Sequence, residues 1–171
     1  MTTRIVFLNG TPSSGKSTLA RALHPRLEEP TYYRSLDDFL VGIQERYWSS
    51  AGVPTLFADM RDAWLAGLRE IALRGYPLLS ESVVLPADRE HYDDLFGEFD
   101  VVMIGVRCAL PVAMQREADR SDRRTSRVDL DVPGFDDVHR HDYPLQVDTS
   151  VESTEQSVKR ILEFLSSRET T

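Results

Sequence analysis

Residues 10–17 read Gly10-Thr11-Pro12-Ser13-Ser14-Gly15-Lys16-Ser17, which is G-x-x-x-x-G-K-S. The octet lies between the apolar run Ile5-Val6-Phe7-Leu8 and the helix-like stretch Thr18-Leu19-Ala20-Arg21-Ala22-Leu23. A strand that turns through such a loop directly into a helix is the setting a phosphate-binding loop requires. The unbroken apolar run marks a central parallel strand buried on both faces. Gly10 and Gly15 allow backbone angles that crowd other side chains, so successive N–H groups can point inward at an anion. The first turn of the following helix, with Ser17 and Thr18, presents its unsatisfied N–H groups to the same phosphates. Lys16 adds a point charge for the β- and γ-phosphates, and the Ser17 hydroxyl is placed to ligate Mg²⁺. A chain built this way is expected to bind a nucleoside triphosphate.

The remaining sequence alternates strand and helix signals. Helix is expected over Ser17 to Leu27, cut short by Pro25. A second strand is expected over Tyr32 to Leu36, ending at Asp37-Asp38, then a helix carrying Phe39, Leu40 and Ile43. Between Asp59 and Arg74 the residues Met60, Ala63, Trp64, Gly67, Leu68 and Ile71 share one helical face, with Gly75 as the stop. A third strand over Tyr76 to Leu79 leads into Ser80-Glu81-Ser82, and a short helix follows over Ala87 to Phe96. Val101 to Val106 reads as strand and Ala109 to about Arg127 as helix, with Leu145 to Val147 as the last strand. The final helix starts near Ser153, which forms a capping box with Gln156, and buries Val158, Ile161, Leu162 and Leu165. Five strands with helical crossovers predict an α/β chain of three layers, a parallel sheet with helices on both faces. Ligands in such sheets bind at the carboxyl ends of the strands, where Asp37, Asp38, Glu81 and the phosphate loop should converge.

The 171 residues amount to one domain, 1–171. A net charge of −8 supplies no field to recruit nucleic acid or an anionic membrane. The single cysteine, Cys108, cannot close an internal disulfide; it reads as a buried core thiol in a reducing compartment. The N-terminus lacks the apolar segment of a signal peptide, and no stretch approaches the ~20 apolar residues of a membrane span. The expected location is the cytoplasm. Oligomeric state is not legible.

Phosphoryl transfer needs the γ-phosphate held in line, its charge neutralised, and a group that orients the nucleophile and takes its proton. Asp37, the first carboxylate past the second strand, is the candidate for that last task. Asp38 reads as a helix cap or surface charge. Glu81 is a candidate to hold Mg²⁺ through water or to touch the acceptor. Arg116, Arg120, Arg123 and Arg127 fall on one helical face, with a loop-like segment behind them, and predict a lid over about 116–134. Of these, Arg120 and Arg123 are the candidates for nucleotide phosphates, although interleaved acids also fit a solvated helix. Tyr47 and Trp48 are candidates for the acceptor pocket, whereas Trp64 reads as core. His24, His91, His139 and His141 have no zinc-ligand spacing with cysteine.

With these residues laid out, the chain resembles the chloramphenicol phosphotransferase family of small antibiotic O-phosphotransferases. The similarity is densest at Leu8-Asn9-Gly10, Gly15-Lys16-Ser17, Leu36-Asp37 and Gly105-Val106-Arg107-Cys108. It resumes at Arg116-Glu117, Asp122-Arg123, Tyr143 and Val147-Asp148-Thr149-Ser150. The resemblance implies a nucleotide-kinase-like fold, ATP·Mg²⁺ as donor, an alcohol as acceptor and Asp37 as the base. Where the family pattern has paired aspartates, this chain has Ser80-Glu81-Ser82, one carboxylate in place of two.

The expectation is therefore an ATP-dependent phosphotransferase acting on a hydroxyl of a small, partly apolar molecule, an antibiotic among the candidates. The alternatives are a metabolic kinase for a sugar, shikimate-like acid or nucleoside, and a nucleotide-dependent switch without turnover. Between Phe39 and Met60 only Arg46 is available to meet an anionic acceptor, which disfavours one.

Overall fold

The computed structural model describes residues 2–47, 53–119 and 135–169. Five strands form one sheet in the order β2-β3-β1-β4-β5, every pairing parallel. They are β1 (Arg4–Asn9), β2 (Tyr32–Ser35), β3 (Leu78–Ser82), β4 (Asp100–Arg107) and β5 (Leu145–Asp148). The helices are α1 (Lys16–Leu23), α2 (Leu36–Leu40), α3 (Val53–Leu73), α4 (Arg89–Phe96), α5 (Leu110–Asp119) and α6 (Thr154–Glu169).

Successive side chains of β1 point to opposite faces of the sheet, and both faces are covered. Ile5 and Phe7 pack into a cluster with Trp64, Leu65 and Leu68 of α3 and Tyr92 and Phe96 of α4. Val6 and Leu8 pack against Leu19 and Leu23 of α1 and Val158, Ile161 and Leu165 of α6. The three-layer arrangement follows directly, and Trp64 is a core residue as expected.

Several boundaries follow from the chemistry the sequence displays. α1 stops at Leu23, and Pro25 carries the chain into a 3₁₀ turn over His24–Arg26. α3 ends just before Gly75. The capping box at α6 is present in both directions: Ser153 N donates to Gln156 Oε1 at 2.8 Å, and Gln156 N to Ser153 Oγ at 3.2 Å. Cys108 is buried beyond the end of β4.

Other boundaries differ. The second strand ends at Ser35 rather than Leu36, because the Ser35 hydroxyl accepts from Asp38 N at 3.0 Å and starts α2. Ser35, not Asp38, is thus the cap, and both aspartates lie in the first helical turn. The third strand begins and ends later than expected, at Leu78 and Ser82, which places Glu81 inside the sheet. Its polar residues are buried because each is bonded: Ser80 Oγ donates to the Arg34 carbonyl, and the Ser82 and Tyr92 hydroxyls are 3.0 Å apart. α3 begins six residues before the expected Asp59. No described helix is long and apolar enough to cross a membrane.

Candidate active site

The strand register brings the carboxyl ends of β2, β3 and β1 level in one row, which crosses β4 three residues before its end and meets β5 at its first residue. Ser35 pairs with Glu81, Glu81 with Leu8, Leu8 with Ile104, and Ile104 with Leu145. Asp37 and Gly10 each stand two residues beyond that row, just past the ends of the two strands that flank β3. The phosphate loop, Glu81 and the start of the helix that carries Asp37 thus follow neighbouring strands at the same end of the sheet.

The loop itself is shaped for an anion. Gly10 lies so close to β4 that an added Cβ would sit 2.3 Å from the Val106 carbonyl oxygen, and Gly15 has φ +90°. Ser13 also takes positive φ, 58°, a conformation costly for a residue with a side chain. A hydrogen bond from its hydroxyl to Glu117 of α5 holds it there. Ser14 N donates to the Thr11 carbonyl at 3.2 Å. The buried Ser14 hydroxyl has no partner among the described residues, an orphan donor inside the cradle. Lys16 is 9% exposed, and its Nζ donates to the carbonyls of Gly10 (2.9 Å) and Thr11 (2.7 Å). Those bonds hold the ammonium across the loop that the phosphates would enter.

Ser17 Oγ donates to Glu81 Oε2 at 2.8 Å, and Tyr33 OH donates to Glu81 Oε1 at 2.8 Å. Glu81 is only 5% exposed, so it is not a solvated loop carboxylate. Burial first, and the Glu81 carboxylate second, push the Tyr33 phenol far above its ordinary value, so it stays a donor. The Ser17–Glu81 pair fits Mg²⁺, a hard cation that takes one or two protein oxygens and completes its shell with phosphates and water. No group of three or more His, Cys, Asp or Glu converges among the described residues. A metal here would therefore draw most of its ligands from a nucleotide.

Asp37 is exposed and pairs with no described residue. Tyr47 is 46% exposed with the Arg46 guanidinium 4.9 Å over its ring. Trp48, Arg120 and Arg123 lie outside the described residues. Of the expected lid, residues 120–134 lie outside the described residues, whereas 116–119 form the last turn of α5, where Arg116 and Glu117 are fastened to the body of the protein.

That fastening is one of three features the sequence did not reveal. Arg116 Nη1 donates to Thr149 Oγ1 at 2.9 Å and Nη2 to the Thr149 carbonyl at 2.8 Å. Thr149 Oγ1 in turn donates to the Ser14 carbonyl at 2.6 Å. α5 and the turn after β5 thereby grip the phosphate loop from the side opposite Asp37. Spacing alone put Arg116 on a stripe; its partner lies far along the chain.

The second feature is Asn9, fully buried at the end of β1. Its Oδ1 accepts from Val84 N at 2.8 Å, and its Nδ2 donates to the Val84 carbonyl at 2.9 Å and to Tyr143 OH at 2.7 Å. His141 Nε2 lies 2.7 Å from the same Val84 carbonyl. Burial pushes the Tyr143 phenol up to about 12, the Asn9 bond offsetting part of the rise. Asn9 thus ties the strand that feeds the phosphate loop to the segment leaving β3. Asn9→Ala would strand buried polar groups of Val84, and urea unfolding is expected to show a loss of about 2–3 kcal/mol. An unchanged unfolding midpoint would mean that water replaces the amide without cost. The third feature is the Tyr33 phenol on Glu81.

A model of the chloramphenicol phosphotransferase-like protein family matches residues 3–166. No curated protein matches the chain. Among solved structures, the APS kinase of Mycobacterium tuberculosis is similar at TM-score 0.72 and 16% identity, over 96% of this chain and 98% of that one. Shikimate kinase of Acinetobacter baumannii is similar at TM-score 0.70 and 16% identity, over 99% and 96%. The tunicamycin resistance protein of Deinococcus radiodurans is similar at TM-score 0.66 and 18% identity, over 95% of each chain. At these identities the likeness establishes the fold, that of P-loop kinases.

Proposed function

The chain belongs to the chloramphenicol phosphotransferase-like family of P-loop kinases, and on that premise we propose that it transfers the γ-phosphate of ATP to a hydroxyl of a small, uncharged, partly apolar molecule. The phosphate loop from Gly10 to Thr18 holds the triphosphate. Ser17 and Glu81 would hold Mg²⁺, which neutralises phosphate charge when bound. The acceptor oxygen attacks the γ-phosphorus, its proton passes to the Asp37 carboxylate, and ADP departs with the β–γ bridging oxygen. Lys16 stabilises the charge on the transferred group. Arg120 and Arg123 are assigned to the nucleotide phosphates on sequence spacing alone.

With Asp37 at the β2 side of the phosphate loop, the nucleoside end belongs on the opposite side, beside Arg116 and Thr149. There the guanidinium plane can face a base. Arg116→Ala is expected to weaken ATP-analogue binding roughly five- to tenfold. Calorimetric titration giving the same affinity as wild type would place the base elsewhere.

The observation that carries the acceptor class is the character of the surface around Asp37. Phe39, Val41, Tyr47, Val83 and Leu85 are exposed on the segments that leave β2 and β3. The cations nearby are engaged: Arg46 lies over Tyr47, and Arg61 pairs with Asp62 and Asp88. Among the described residues of this surface, anionic acceptors of the kind APS and shikimate kinases are named for would meet only cations that are already engaged. An antibiotic acceptor suits this surface, and the match to the chloramphenicol phosphotransferase-like family over residues 3–166 supports that choice. ADP release across a panel of hydroxylated antibiotics, sugars, nucleosides and acidic alcohols is the test. Turnover with neutral, partly apolar members is expected; turnover confined to acidic members would overturn the acceptor class.

A further inference from the structure

We propose that Tyr33 is a positioning residue for the divalent-metal site, acting through Glu81. The inference rests on the reading of Ser17 and Glu81 as the residues that hold Mg²⁺. Glu81 has both oxygens committed at the same distance, Oε2 to the Ser17 hydroxyl and Oε1 to the Tyr33 phenol, each at 2.8 Å. A glutamate carboxylate turns about a soft terminal torsion and sits one side-chain bond farther from the backbone than an aspartate's. The Ser17 bond alone leaves the carboxylate free to swing about that torsion. A second donor on the far oxygen removes the freedom.

Tyr33 is itself held firmly. The register pairs it with Leu79, one same-face step before Glu81 on β3, so its ring runs diagonally along the sheet toward the carboxylate. The ring packs into the cluster that contains Leu19 and Leu23 of α1. The His24 ring lies 5.6 Å away, with His24 Nε2 placed 2.7 Å from the Thr31 carbonyl. Groups that hydrogen-bond a metal-binding carboxylate set its orientation, and their loss typically costs 10–100-fold in metal affinity. Tyr33→Phe removes one oxygen and keeps the ring, so it isolates that contribution.

The test is a titration of Mn²⁺, followed by its paramagnetic resonance signal, into the protein saturated with the ATP analogue AMPPNP. It compares wild type, Tyr33→Phe, Glu81→Gln and the double variant, with thermal melts to verify folding. Tyr33→Phe is expected to weaken Mn²⁺ binding about tenfold while leaving metal-free AMPPNP affinity unchanged. The double variant should bind Mn²⁺ no more weakly than Glu81→Gln alone, because Tyr33 works only through Glu81. Wild-type Mn²⁺ affinity in Tyr33→Phe, or losses that add in the double variant, would overturn the proposal. Should Glu81→Gln itself leave Mn²⁺ binding intact, the reading of the metal site fails and the proposal with it.

Discussion

Lys16→Ala is expected to lower phosphoryl transfer by on the order of 10³-fold or more, the largest effect of any single change considered for this chain. The ammonium is nearly buried and already bridges the Gly10 and Thr11 carbonyls across the mouth of the loop. A cation fixed there needs no reorganisation when charge builds on the β- and γ-phosphates, and little water reaches it to screen the field. Its removal also strips those two carbonyls of a donor, so a thermal melt must accompany the assay. Titration with an ATP analogue should show much weaker binding to the variant. Equal affinity and equal turnover in a folded Lys16→Ala protein would contradict the phosphate-loop assignment.

Asp37→Asn is expected to reduce turnover by about 10²-fold or more, the usual worth of a positioned acid–base group. Nucleotide affinity should change little, because the loop and Lys16 hold ATP. Asp38→Asn is the internal control. Its backbone N–H, not its carboxylate, makes the capping bond with Ser35, so the substitution leaves the cap in place. Steady-state kinetics should show the two neighbours differing by an order of magnitude or more. Comparable losses in both, or a larger loss in Asp38→Asn, would remove Asp37 from the role of base.

The parts of this architecture that depend on local patterns were legible in the sequence. The apolar run before Gly10, the Pro25 stop, the Gly75 stop and the Ser153/Gln156 box each express a short-range rule, and each appears where the pattern put it. The misplaced boundaries have a common physical origin. Ser80, Glu81 and Ser82 look like loop because buried strands are usually apolar, yet each is bonded to a distant partner: Arg34, Ser17 and Tyr33, and Tyr92. Ser35 carried a readable signal, an S-x-x-D pattern that marks a helix start. Leu36 continues the apolar pattern of the strand and masks that signal, yet it is the first residue of α2.

At the site, residue types told more than residue partners. The loop, Asp37 and Glu81 were all visible as candidates, since phosphate and metal chemistry restrict which side chains can serve. The Arg116–Thr149 grip and the Asn9–Val84 tie were not visible as contacts, although both lie in segments the family resemblance covers. They join residues 33 and 75 positions apart, and only the parallel sheet brings those positions together.

Phosphorus NMR of a reaction containing ATP, Mg²⁺ and a neutral acceptor found by the ADP-release panel tests the central claim most directly. The ATP γ-resonance is expected to be lost as a phosphomonoester resonance on the acceptor grows in equal amount, with ADP as the other product. ATP breakdown to ADP and inorganic phosphate alone, with no ester formed, would contradict it and leave a nucleotide-dependent switch as the better description.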